Sequence, residues 1–218
     1  MPVLPQGHAV APANPLAQGA QIVGDVGVPG GYTRGMDAPA PCPLDTLLLD
    51  DQSLLAQCDK HIYKSSGPGG QHRNKVSSAV RLRHRATGVA GHGDDSRSQH
   101  ENLRLALRRL RMNLACQSRR PVDRSQPAPA VVAECTFVAR GGPAAGRRRL
   151  EVGARDHRFW AVAAAVLDVL EAFEGRLAEA ASHLGIGTGN LSSFLTGERH
   201  LLAAAQALRK AHGQSPLH

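Results

Sequence analysis

The chain has 218 residues, with 26 Lys and Arg against 18 Asp and Glu and a formal net charge of +8. That length fits one or two small domains and excludes a large multidomain enzyme. No apolar run reaches the ~18 residues of a membrane span, no secretory signal opens the chain, and four scattered cysteines fit a reduced cytoplasm better than a disulfide scaffold. With only 1 Trp, 2 Tyr and 4 Phe, the core must rest on Leu, Val, Ile and Ala.

Residues 1–43 hold 8 Pro and 7 Gly without an apolar period, which predicts a disordered leader. Leu44–Leu55 is apolar and acidic and suits one or two helical turns. Residues 59–64 alternate as a strand does. Ser65–His72 is a Gly-rich loop, and Asn74 is placed to cap a short helix over Lys75–Ala79. Val80, Leu82 and His84 then alternate with Arg81, Arg83 and Arg85, a strand with one apolar and one cationic face. Ala86-Thr87-Gly88 turns into a second strand near Val89–Asp94, where Gly91 and Gly93 predict weakness or a bulge. Ser96–Ala115 reads as a strong helix. Leu103, Leu107, Leu110 and Leu114 form its core stripe, and Arg97, Arg104, Arg108 and Arg111 an adjacent one.

Residues 119–150 read as a linker, with an isolated strand at most over Glu134–Ala139. A helical module over 151–218 follows. Phe159, Ala163, Val166, Leu170 and Phe173 mark one helix face, and further helices are expected over Leu177–Leu184, Gly189–Thr196 and His200–His212. Ala181, Leu184, Gly185, Ile186, Leu191 and Phe194 fit helix-turn-helix spacing. Its base-reading face would hold Asn190, Ser192 and Ser193 but no Arg or Lys, so a plain helical bundle is the stronger expectation. The predicted fold is α+β: a small sheet packed by one long helix over 44–118, then an all-α module.

Charge is unevenly spread: residues 60–120 carry 14 bases and 3 acids, whereas 1–59 are net −5 and 121–218 net +2. Such a segment points to a polyanion partner and to salt-sensitive binding. Four Lys against 22 Arg also reflects compositional bias, but the planar guanidinium suits phosphate either way. The five histidines from His61 to His100, with Cys42 and Cys58, match no common metal-ligand spacing, so no metal is expected.

The run Ser65-Ser66-Gly67-Pro68-Gly69-Gly70-Gln71-His72-Arg73-Asn74-Lys75 carries the chemistry. Adjacent glycines let the backbone approach a ligand closely, Pro68 stiffens one side, and successive N–H groups can form an anion-binding concavity. A donor aimed at a developing oxyanion stabilises an acyl-transfer transition state by ~3–4 kcal/mol. The loop holds no carboxylate, Ser/His pair or Cys, so its chemistry rests on positioning and hydrogen bonding.

Together with Arg97-Ser98-Gln99-His100-Glu101-Asn102, this run resembles the peptidyl-hydrolase domain of class I peptide chain release factors, over roughly residues 44–115. The resemblance implies that Gly69, Gly70 and Gln71 are catalytic, with the Gln71 backbone N–H serving ester hydrolysis and its side chain shaping the water site. It implies no cofactor. It implies as partners the ribosome, peptidyl-tRNA and ribosomal RNA, and a glutamine N5-methyltransferase acting on Gln71. Lys75, Arg97 and Gln99 match positions that meet RNA in the family; a plain basic rim is the alternative for each. Arg73 replaces a small apolar residue, which adds a phosphate contact or shifts the loop. Glu101 and Leu103 replace bases common in relatives. Arg81, Arg83, Arg85, Arg104, Arg108 and Arg111 are further RNA-contact candidates.

Residues 1–43 are too short and too rich in Pro and Gly to be a decoding domain. The chain is therefore expected to resemble the short, codon-independent relatives that rescue stalled ribosomes. It lacks their Lys/Arg-rich tail. A non-catalytic RNA- or DNA-binding protein that keeps the loop as a relic is the rival expectation.

Overall fold

The computed structural model describes residues 42–64, 78–141 and 145–217. Two short helices come first, α1 (Leu44–Leu48) and α2 (Asp51–Ala56). Asp50 starts the second, its carboxylate accepting from the Gln52 and Ser53 amides at 2.8 and 2.9 Å, as an N-cap should.

Strands β1 (Cys58–Tyr63), β2 (Ala79–His84) and β3 (Ala90–Gly93) form an antiparallel sheet in chain order. The two-residue period in β2 holds: Val80, Leu82 and His84 are buried, and Arg81 and Arg83 are exposed. The turn into β3 uses Gly88 at φ +72°. Helix α3 (Gln99–Gln117) packs over β2 and β3. It starts later than the expected Ser96, because Ser98 is the N-cap and accepts from the Glu101 amide at 3.3 Å.

Gly91 and Gly93 do not mark a bulge. The β2–β3 register runs unbroken from Val80↔Gly93 to Arg83↔Ala90. A Cβ on Gly91 would overlap the Ala106 carbonyl and the Leu110 backbone, and one on Gly93 the Asn102 carbonyl. The glycines are there so that α3 can lie against the strand backbone.

The stretch expected as a linker carries helix α4 (Ala130–Ala133) and strands β4 (Thr136–Val138) and β5 (Arg148–Leu150). The expected isolated strand is thus paired, Phe137 facing Arg149. Val131, Val132, Cys135 and Leu150 are buried. Next comes α5 (Phe159–Ala172), expected to be amphipathic. Eleven of its 14 residues are buried, because α1, α3 and α4 and the two later helices α6 (Leu177–His183) and α8 (Arg199–Ala211) all contact it. A helix that is apolar all round sits inside a core. Between them lies α7 (Thr188–Thr196). Gly185, at φ +68°, ends α6 while the Gly185 and Ile186 amides donate to Ser182 and Ala181 at 3.0 Å, a left-handed C-cap.

One continuous core runs from Cys42 through Leu110 and Val166 to Leu217. Cys42, at the end of the expected leader, is fully buried, and its amide donates to Ser118 Oγ at 2.7 Å. Asp168 of α5 is buried in the same region. Its carboxylate accepts from Arg119 at 3.2 Å, from Arg120 Nε at 2.5 Å and from the Arg120 amide at 3.1 Å. Burial pushes this carboxyl above its ordinary range, and the two guanidiniums pull it back. The cluster ties the exit of α3 to the central helix. Among the described residues, no helix is long and apolar enough to cross a membrane.

Candidate functional site

Tyr63 and Ala79 are paired across β1 and β2, so the chain leaves the sheet and rejoins it on neighbouring strands. The intervening Gly69, Gly70, Gln71, Arg73 and Lys75 lie outside the described residues. So does the helix expected over Lys75–Ala79, except at its end: Ala79 opens β2, where ladder pairing with Tyr63 overrides the local helix signal.

The return point is clasped. Asn102, at the end of the first turn of α3 and fully buried, donates through Nδ2 to the carbonyls of Ser78 (2.8 Å) and Ser96 (2.7 Å). Its Oδ1 accepts from the Ser96 amide at 2.9 Å. One carboxamide thus holds the re-entry of the chain, the turn before α3 and the helix itself. Sequence reasoning missed this role. The available signal was a polar side chain four residues before Ala106 and eight before Leu110, on the face that meets the sheet.

On the opposite side of the sheet from α3, the register aligns His61, Arg81 and His92 in one row and Asp59 and Arg83 in the next. Tyr63 Oη lies 3.5 Å from His92 Nδ1 and the rings meet edge to face. Burial lowers the His92 pKa, and Arg81 lowers it further while Asp94 opposes. The row favours a neutral imidazole beside a permanent cation. Arg81 and Arg83 are exposed here and make no ion pair among the described residues.

The remaining candidates divide. Arg97, Arg104 and Arg108 are exposed, again without an ion pair among the described residues, and Gln99 is exposed at the start of α3. Arg111 is turned inward: it meets Asp51 at 2.5 Å and donates to the Leu49 carbonyl at 2.6 Å. Arg85 lies 3.6 Å from Asp59 and donates to the carbonyls of Cys58 and Ala56. These two brace α1, α2 and β1. Arg109, not among the candidates, pairs with Asp95 at 2.8 Å and donates to the His92 carbonyl at 2.9 Å.

His84 is engaged and the cysteines are free thiols that burial makes less acidic. His84 is buried, 2.9 Å from Thr87 Oγ1 and 3.2 Å from Gln57 Oε1. That pattern fits a neutral ring carrying its proton on Nε2, and burial lowers its pKa. All four cysteines are free, and burial pushes the Cys116 thiol up to about 12. Among the described residues, no group of three or more His, Cys, Asp or Glu is arranged to hold a metal ion.

In the helical part, Asn190 does not point at a free groove. It accepts from the Leu150 amide at 2.7 Å and donates to the Leu150 carbonyl at 3.2 Å. The residue expected to head a base-reading face instead fastens α7 to β5. Four acids of the helical part are also engaged: Asp168 by Arg119 and Arg120, Glu171 by His212, and Glu174 and Glu179 by Arg176.

The RF-1 domain family matches residues 55–153, which takes in the sheet, the segment between β1 and β2, α3 and the β4–β5 ribbon. Peptide chain release factor 1 of Albidiferax ferrireducens is 32% identical over 180 residues, 73% of this chain and 48% of that protein. The chain is a class I release-factor-like protein. Peptide chain release factor 1 of Variovorax paradoxus is 40% identical over 88 residues, covering 38% of this chain and 24% of that protein. Peptide chain release factor 2 of an Acidovorax species is 54% identical over 52 residues, covering 24% and 14%. The release-factor-like chain therefore spans about half the length of these relatives or less. No solved structure matches it significantly. Helices α5 to α8 lie beyond the matched family domain.

Proposed function

We propose that this release-factor-like protein hydrolyses the ester between a nascent peptide and the 3′ ribose of tRNA on the cytoplasmic ribosome, without reading a codon. The observation that carries the reading is the placement of Gly69-Gly70-Gln71 inside the matched RF-1 domain, between two strands that pair directly at Tyr63 and Ala79. In this reaction water adds to the peptidyl carbonyl carbon, the bond to the ribose 3′ oxygen breaks, and that oxygen leaves with a proton. The Gln71 backbone N–H stabilises the charge that develops on the carbonyl oxygen, and the Gln71 side chain places the water. Exposed Arg81, Arg83, Arg97, Arg104 and Arg108 serve as contacts to RNA phosphate. Gln71 is also the position a glutamine N5-methyltransferase would modify.

The test is peptide release from purified ribosomes with the A site empty, holding a sense codon, or holding a stop codon. Release from the empty and sense states with little codon preference is expected. Release confined to stop codons overturns codon independence. No release in any state, repeated with methylated Gln71, overturns the hydrolase reading. Gly70→Val should abolish release while leaving the fold intact, and unchanged release by this variant would also count against the assignment.

A further inference from the structure

Strand β4 falls within the strand expected over Glu134–Ala139, but its pairing with β5 into a ribbon was not expected, and the ribbon's outer residues have no task in the core. Phe137 and Val138 are 54% and 59% exposed, the highest values among the exposed large hydrophobic residues of the described chain. Residues 136–150 contain four Arg and no Asp or Glu. Arg149 is drawn to Glu151 at 3.6 Å, but Arg140, Arg147 and Arg148 are exposed and make no ion pair among the described residues. The base of the ribbon is held firmly. Leu150 is buried and doubly bonded to Asn190, and the Glu151 amide donates to the Cys135 carbonyl at 2.9 Å. Beyond it the Ala139 amide donates to the Arg147 carbonyl at 2.9 Å, which continues the pairing toward the tip.

An anchored ribbon that displays a bare aromatic ring and carries unpaired guanidiniums on the same short hairpin, Arg148 opposite Val138 and Arg140 and Arg147 toward the tip, has the two elements that recognise a single nucleic-acid strand: a flat face for a base and cations for its phosphates. We infer that the β4–β5 ribbon is a second RNA-binding element, which stacks an unpaired base on Phe137 and holds its flanking phosphates with Arg140, Arg147 and Arg148. An acidic protein partner would use the same cations but has no need of an aromatic ring. The choice of RNA over DNA rests on the ribosomal reading above. The ribbon's own binding does not depend on catalysis.

The experiment measures binding of the full chain to a labelled single-stranded RNA and to a duplex RNA of equal length across a salt series. Phe137→Ala should weaken single-strand binding about tenfold or more without changing the salt slope or the duplex affinity. Phe137→Tyr should bind as the unaltered chain does, and Phe137→Leu should behave like Phe137→Ala. Replacing Arg140, Arg147 and Arg148 together by Gln should reduce the salt slope by about 2. Full binding by Phe137→Leu, or an unchanged slope in the triple variant, overturns the inference. All these side chains are exposed, so unaltered thermal unfolding serves as the folding control. Isolated RNA is the probe, so the outcome is independent of whether the chain releases peptide.

Discussion

The Asn102 side chain donates to the carbonyl of Ser78 at 2.8 Å, across 24 residues of sequence, and so connects the first half of α3 to the point where the chain rejoins the sheet after Gly69-Gly70-Gln71. Replacing Asn102 by Ala leaves the Ser78 and Ser96 carbonyls and the Ser96 amide without this partner in a partly buried site. An orphaned buried group costs about 1–3 kcal/mol. Asn102→Ala should therefore lose about 3 kcal/mol in urea denaturation. Asn102→Asp should lose at least as much, because a carboxylate then faces two carbonyl oxygens. Peptide release by the folded fraction should fall too, since the segment that bears the motif loses its tether.

Gly93 and Gly91 set the distance between β3 and α3. A methyl group at either would meet helix backbone, which unlike a flexible side chain cannot rotate away. Gly91→Ala and Gly93→Ala should each destabilise by about 3 kcal/mol or more, at the top of the range for overpacked sites. Gly153→Ala, with nothing near its would-be Cβ, should change stability by less than about 0.5 kcal/mol. Chemical denaturation of the three variants gives the comparison.

Much of this organisation was legible beforehand because it repeats. The alternation of Val80, Leu82 and His84 with arginines gave β2, the leucines from Leu103 to Leu114 gave α3, and Gly185 marked the end of α6. What escaped had no period to show. Helix α4 and strand β5, the partner that pairs the expected strand over Glu134–Ala139, are four and three residues long, too short for any hydrophobic repeat. Arg104, Arg108 and Arg111 look alike in sequence, yet only Arg111 finds Asp51, 60 residues away. The partners of Asn102 and Asn190 are likewise long-range backbone groups, invisible to local reasoning. The buried inner face of α5 was visible in sequence, but its burial on every side depends on how many helices surround it.

His84 makes stability depend on pH. Its folded pKa lies below the ordinary 6.5, because burial and the neighbouring Arg85 disfavour the charged ring. Below pH 6.5 the unfolded chain therefore takes up a proton that the folded chain refuses. Stability is complete above that value and is lost as the pH falls toward the folded pKa. His92 shifts in the same direction and adds to the effect. Denaturation midpoints between pH 8 and pH 5 should fall on acidification. His84→Gln should flatten that dependence, and a midpoint independent of pH would contradict the burial argument.

Asp168 compensates two guanidiniums that are themselves largely buried, with side chains 14% and 13% exposed. Asp168→Asn keeps the shape and removes the charge, leaving Arg119 and Arg120 in a poorly solvated site. Breaking a buried pair from one side costs about 3–5 kcal/mol, so this variant should be among the least stable single substitutions in the chain. Restoring stability with a second change of Arg119 to Met would show that the uncompensated cation, rather than a lost contact, is the cause. A thermodynamic cycle over the two single variants and the double variant measures this coupling directly.

Arg111 and Arg108 stand three residues apart on α3 and should fail in opposite ways. The Arg111 side chain is 15% exposed and joins α3 to Asp51 and Leu49. Arg111→Ala should lower stability by about 1 kcal/mol, since its partner Asp51 is largely in water. Ribosome affinity per folded molecule should hardly change. Arg104→Ala and Arg108→Ala remove exposed cations that make no ion pair among the described residues. They should leave the unfolding midpoint in place, weaken ribosome binding, and each reduce the salt slope by about 0.7–0.9. The contrast is read by measuring unfolding and salt-dependent ribosome binding on the same three proteins. If Arg111→Ala reduced the salt slope as the other two do, the inward pairing with Asp51 would have to yield to an RNA phosphate on the ribosome.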